Sequence, residues 1–205
     1  MLRTVLSAAV GLTILAAPVL AGAAAPAPVS KDPKAVVPGT YALDSRHVGV
    51  VARIPHGGGT SYSVFRFATV SGTLTVDAAN PNNSKVTITV DPKSITSNVA
   101  GFGDELGGER YLNAAKFPTA TFTSTGVKAS GTKADVMGDL TLMGQTKPVT
   151  AHIELVGSGK SMGGKPVVGF TGTAKFKRSD FGFTAMMGPI GDDVELTIDA
   201  EFDQN

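Results

Sequence analysis

From Gly39 to the C-terminus, apolar residues recur at every second position, the period of a strand rather than a helix. Val86, Ile88 and Val90 alternate with Thr87 and Thr89, and Phe170, Gly172, Ala174 and Phe176 alternate with Thr171, Thr173 and Lys175. Leu140 and Leu142, then Val149, Ala151, Ile153 and Leu155, form two rows that meet at the turn around Gly144. In the last strand Val194, Leu196, Ile198, Ala200 and Phe202 point one way, while Glu195, Thr197, Asp199 and Glu201 point the other. Strands with one apolar and one polar face belong to antiparallel sheets, so the expected class is all-β.

The pattern predicts strands near residues 40–54, 60–70, 72–77, 84–91, 119–128, 134–143, 147–157 and 166–178. A last strand at 193–204 keeps the number at eight if the second and third are a single bent strand. Turn signals separate them at Asn80-Pro81-Asn82-Asn83, Ser130-Gly131 and Gly144-Gln145. One segment breaks the rhythm: Leu106, Tyr111 and Leu112 recur at helical spacing within Asp104 to Ala115, which predicts a short helix weakened by Gly107-Gly108.

Eight antiparallel strands with all apolar rows on one face close into a barrel or fold into a sandwich, and closure removes the exposed edges. The inward rows mix Phe with Gly and Ala. Small residues there leave volume for one small ligand, yet the same residues also interdigitate into a solid core, toward which composition alone leans.

The N-terminus adds a destination. Met1-Leu2-Arg3, the apolar run Val5 to Leu20 and the small residues of "LAGAAAPAP" have the form of a cleaved secretory signal, with the cut expected after Ala23. Residues 24–38 are rich in Ala and Pro and read as a flexible tether, leaving 39–205 as the folded domain. Loss of residues 1–23 removes Arg3 from 18 Lys and Arg against 17 Asp and Glu, so the mature chain is neutral in formal charge. Bulk charge therefore points to no nucleic-acid partner. The chain has no cysteine, which excludes thiol catalysis and thiolate metal sites.

Five stretches, in order, resemble the YceI family: "YALDSRHVGVVARIPH" from Tyr41, "FRFATVSGTLTVD" from Phe65, "NAAKFPTATFTST" from Asn113, "GDLTLMGQTKPVT" from Gly138 and "RSDFGF" from Arg178. The resemblance implies an extended antiparallel eight-stranded lipocalin-like β-barrel in the periplasm with one short helical segment. It also implies an apolar tube holding a long isoprenoid or fatty chain, with no known reaction and no cofactor. The expected lining is Val50, Ala52, Phe65 and Phe67 from the first strands, Phe122, Leu140 and Leu142 from the middle ones, and Phe170, Phe176, Phe181 and Phe183 from the later ones. His47, His56 and Arg178 would meet a head group. Four positions depart from the family's usual residues: Phe65 stands where Gly is usual, Ala52 where Phe is usual, and Glu105 and Gly107 where His and Arg are usual. A transient membrane contact during loading, and either a monomer or a homodimer, remain open.

Other constellations carry less. His47 and His56 lie about 30 Å apart on an extended strand, too far for one metal ion, and no metal is expected. "HGGG" from His56 resembles an oxyanion-hole loop but no G-x-S-x-G accompanies it, and "GSGKSMGGK" from Gly157 lacks the phosphate-loop spacing. Both read as hairpin turns, and no enzymatic function is expected. Arg178 and Asp180 beside Phe181 and Phe183 suggest an ion pair at a bend or barrel mouth. The alternative to a ligand carrier is a structural or stress-protective protein whose barrel is filled by its own side chains.

Overall fold

A computed structural model describes residues 28–205; the expected secretory signal and its expected cleavage site lie outside them. Ten strands and one helix follow the chain: β1 (Gly39–His56), β2 (Ser61–Phe67), β3 (Val70–Val76), β4 (Lys85–Val90), β5 (Ile95–Thr96), α1 (Phe102–Gly107), β6 (Ala120–Ser130), β7 (Lys133–Leu142), β8 (Gln145–Lys160), β9 (Pro166–Lys177) and β10 (Asp193–Gln204). Neighbours pair antiparallel around a ring of eight, β1-β10-β9-β8-β7-β6-β4-β3 and back to β1. The apolar rows therefore face one enclosed interior, and the ring itself has no open edge.

β2 and β3 behave as one strand broken at Ala68 and Thr69. Both pair with β1, β3 at its start (Gly39 to Ala42) and β2 at its end (Val50 to His56). The break is held open by the segment after β4, because Ala68 N–H donates to Ser94 O and Asp91 N–H to Thr69 O. β2 thus rises beyond the ring, and β5 adds two residues to it. This end, with α1 and the 178–192 turn, is called upper here; the end carrying Gly39 is lower.

Bulges bend the long strands enough to close. The largest is in β1, where Leu43 pairs with Phe202 and Val48 with Ala200, so that Asp44 to His47 stand opposite Glu201 alone. Asp44 makes the bulge, its Oδ1 accepting from Arg46 N–H at 2.9 Å and its Oδ2 from the Arg46 guanidinium at 2.9 Å. At the β7–β8 hairpin Met143 and Gly144 both take positive φ, 51° and 75°, as a two-residue turn matched to strand twist requires.

Two expectations change. The helix spans only Phe102–Gly107 and gives way to turns, because Gly108 leaves the helical path and its N–H closes onto Glu105 O. The Ala/Pro tether is not free from Ser30 on. Ser30 and Ser158 exchange two backbone hydrogen bonds of 2.8 Å, Asp32 caps a 3-10 turn at Pro33–Ala35, and Val36 is buried with Tyr41, Leu74, Leu155, Val168 and Phe202. Proline restricts the unfolded chain as well as the folded one, so a proline-rich segment with one buried anchor loses little entropy when it docks.

Candidate functional site

The barrel interior holds two chambers. The upper one, about 460 Å³, has Ala52, Phe65, Phe67, Leu142, Phe176 and Leu196 as its barrel wall. Phe102, Leu106, Tyr111 and Leu112 roof it, and Phe183 and Ile190 close its side. Rings form an arc over it: Phe65 to Phe102 at 6.5 Å, Phe102 to Tyr111 at 6.3 Å and Tyr111 to Phe183 at 6.2 Å, the last two edge to face. The Tyr111 hydroxyl donates to Glu105 Oε1 at 3.2 Å, which turns it out of the chamber's apolar centre.

The lower chamber, about 770 Å³, is walled by Val86, Ile88, Phe122, Val136, Ile153 and Phe170 among others. Its mouth is rimmed by the loop after β3, the β6–β7 hairpin and the strap formed by Asp32 to Val36. Between the chambers the barrel narrows. Along β7 Leu142 lines the upper and Val136 the lower chamber while Leu140 lines neither; along β9 Ala174 separates Phe176 from Phe170 in the same way. Glycines set the waist's packing, since the Phe122 ring occupies the place of a Cβ on Gly138, and Ile153 that of one on Gly172.

Of the expected lining residues, the structure brings Ala52, Phe65, Phe67, Leu142, Phe176 and Phe183 together in the upper chamber, with His56 and Arg178. Phe122 and Phe170 lie in the lower one. Val50, Leu140 and Phe181 line neither. Val50 packs with Val48 and Val70, and Phe181 is buried against Phe176 at 5.2 Å between ring centroids, so both are wall rather than lining.

His47 is placed outside the tube. The β1 bulge turns it to the outer face, where its ring is 59% exposed and its Nδ1 lies 2.8 Å from Asp44 Oδ2 and 3.9 Å from Glu201 Oε1. These three residues are the one His-and-carboxylate cluster of metal-binding spacing among the described residues. The Arg46 side chain and N–H, with His47, hold the Asp44 carboxyl well below the usual carboxylate range, and its oxygens are already engaged. At the upper rim the His56 Nδ1 lies 3.4 Å from Ser61 Oγ, but no carboxylate orients this exposed imidazole, so the pair lacks the third member of a hydrolytic site.

Arg178 overturns the expected ion pair with Asp180. It is 1% exposed, and its guanidinium donates to four backbone carbonyls: Gly191 O at 2.7 Å, Phe183 O at 3.1 Å, Ala185 O at 2.6 Å and Ile190 O at 3.0 Å. The Phe183 ring lies 5.0 Å from its carbon centre. Four of five N–H groups are so engaged, and the charge faces the apolar chamber with no carboxylate in contact. Burial lowers its pKa, though an arginine stays protonated. Asp192 serves the turn instead. Burial pushes its carboxyl up, but bonds from Ser179 N–H and Oγ outweigh this and hold it below the usual range.

Sequence reasoning missed the roof, Phe102 and Tyr111 above all, and the strap. The apolar spacing of Leu106, Tyr111 and Leu112 was the signal for the roof; nothing in residues 28–38 indicated a docking site.

A closed antiparallel barrel with an almost wholly apolar, hollow interior defines a lipocalin-like barrel protein. More narrowly, the chain belongs to the YceI family: the YceI-like domain matches residues 41–202. Protein YceI of Salmonella arizonae is 41% identical over 163 residues, covering 78% of this chain and 85% of that protein. Among solved structures, BcnA of Burkholderia cenocepacia superposes with a TM-score of 0.69 at 22% identity, covering 78% of this chain and 98% of that one. A Campylobacter jejuni YceI protein gives 0.61 at 27% identity, with 69% and 84% covered. A polyisoprenoid binding domain from Saccharophagus degradans, implicated in plant cell wall breakdown, gives 0.62 at 13% identity, with 80% and 98% covered.

Proposed function

We propose that this protein is an exported, periplasmic carrier or sequestering protein that binds one long isoprenoid, such as a quinone or polyprenyl compound, or a fatty amphiphile along the barrel axis. The observation that carries this reading is the pair of apolar chambers stacked inside one closed barrel. Association costs on the order of 4 to 15 kcal/mol, against about 0.8 kcal/mol gained per buried methylene. Micromolar binding, about 8 kcal/mol, then needs roughly 15 to 30 buried carbons. A short acyl chain falls below that range and a long prenyl chain falls within it. The polar end sits in this reading at the upper chamber, where Arg178 and His56 border a mostly apolar lining. The binding domain from Saccharophagus degradans lends support at the level of the fold.

The rival reading, a barrel filled by its own side chains, draws on the Phe122–Gly138 and Ile153–Gly172 interdigitation. It leaves both chambers without a purpose. Native mass spectrometry of the mature protein from its own periplasm, followed by organic extraction, separates the two. A stoichiometric prenyl or acyl mass supports the carrier. A clean apo mass that long-chain quinones do not shift refutes it.

A further inference from the structure

The strap lies across the lower chamber, outside the part of the chain that the family model matches. It is held at two places. At one, Val36 enters the lower core, Tyr41 Oη donates to Val37 O at 2.6 Å and Gln204 Nε2 to Pro38 O at 2.9 Å. At the other, Ser30 pairs with Ser158 in "GSG", a stretch whose sequence reads as a plain hairpin loop. Gly157 is small for a reason: a Cβ there would overlap Val29, so the glycine is the track on which the strap lies.

The second attachment is weak by construction. Val29 is 71% exposed, and the strap's N-terminal half buries no apolar side chain. Beneath it the Ser158 hydroxyl is buried with no hydrogen-bond partner among the described residues, a penalty of about 1 to 3 kcal/mol that lifting the strap would relieve. The closed position is thus favoured by two backbone hydrogen bonds and opposed by one orphaned hydroxyl. The Val36 anchor stays as a hinge.

We propose that residues 28–35, hinged at Val36, form a liftable floor of the lower chamber: closed, it sets the longest tail that fits, and raised, it lets a longer tail run out past the β6–β7 hairpin. This rests on the carrier reading and adds the rule by which tail length is selected. The chain offers a direct test because it has no cysteine. A Cβ on Gly157 would stand 3.9 Å from that of Val29, the separation a disulfide spans. The double variant Val29→Cys with Gly157→Cys, in the mature protein, locks the floor when oxidised and frees it when reduced; Gly157→Val displaces it without a bond.

Binding of geranylgeraniol and of the longer solanesol is then compared in each form. Oxidation should lower the affinity for solanesol relative to geranylgeraniol by about tenfold or more, reduction should restore it, and Gly157→Val should favour solanesol. An unchanged ratio in all forms, with both alcohols bound, overturns the floor and leaves the carrier standing. Failure of every form, wild type included, to bind either alcohol overturns the carrier reading and the floor with it.

Discussion

Ala52 and Phe65 are direct cross-strand partners in β1 and β2, and both line the upper chamber. The small side chain on β1 and the ring on β2 thus share one space in the chamber wall.

A double-mutant cycle follows. Ala52→Phe alone overpacks the wall and should destabilise the barrel by about 1 to 3 kcal/mol. Phe65→Gly alone should cost about 3 kcal/mol through the lost ring. Because the pair is in contact, the double variant should be more stable than the sum implies by about 1 kcal/mol or more. Urea denaturation measures all three, and strict additivity would show that the side chains do not share one space.

Arg178→Met should destabilise the protein by about 3 kcal/mol or more, because the carbonyls of Phe183, Ala185, Ile190 and Gly191 lose their donors in a buried turn. Arg178→Lys should not restore stability. Three donors on one nitrogen cannot reach carbonyls arranged around a planar fork. A lysine variant with wild-type thermal stability would refute the structural part of this residue's role.

Gly138→Ala should push the Phe122 ring from its place over the glycine into the lower chamber, since the added Cβ also stands 2.6 Å from Thr123 O. The expected cost is about 1 to 3 kcal/mol, together with weaker binding of long chains. Adding Phe122→Leu should recover the binding. Titration with solanesol checks this, and undiminished affinity in the single variant would place the ligand elsewhere.

Acid should loosen the β1 bulge. The Asp44 carboxyl titrates below its unfolded value, near 3.9, so it contributes stability that is present above that pH and lost as pH falls below it. Asp44→Asn should therefore lower stability at neutral pH and flatten its decline below about pH 4. Urea midpoints across that range would show equal slopes if the carboxylate were unimportant.

How much of this was legible in the sequence follows from period two. Val194 to Phe202 and Leu140 to Leu155 announce their faces because each strand has one wet side, and the bent second strand is visible as two runs, parted in the pattern at Ser71 and in the structure at Ala68-Thr69. His47, which the resemblance sets among the head-group contacts, lies on the outer face because four residues opposite one reset the alternation, in a bulge that Asp44 holds through hydrogen bonds from its own neighbours. Phe122 and Leu140 are both inward, yet just one borders a chamber, because the position of a waist depends on which glycines face which rings. Arg178 and Asp180 invited an ion pair by proximity, whereas burial in a turn supplied carbonyls. The strap was hidden by its composition, since proline reads as a tether whether or not a glycine track awaits it.

The most direct test of the account is methyl NMR of the mature protein during titration with solanesol, followed at Ala52 and Leu142 in the upper chamber and Val136 and Ala151 in the lower. A ligand threaded through the barrel shifts both sets together, saturating at one equivalent, with the Leu140 and Ala174 methyls of the waist perturbed between them. Shifts confined to the outer face, or none at all, would contradict a ligand threaded through the barrel.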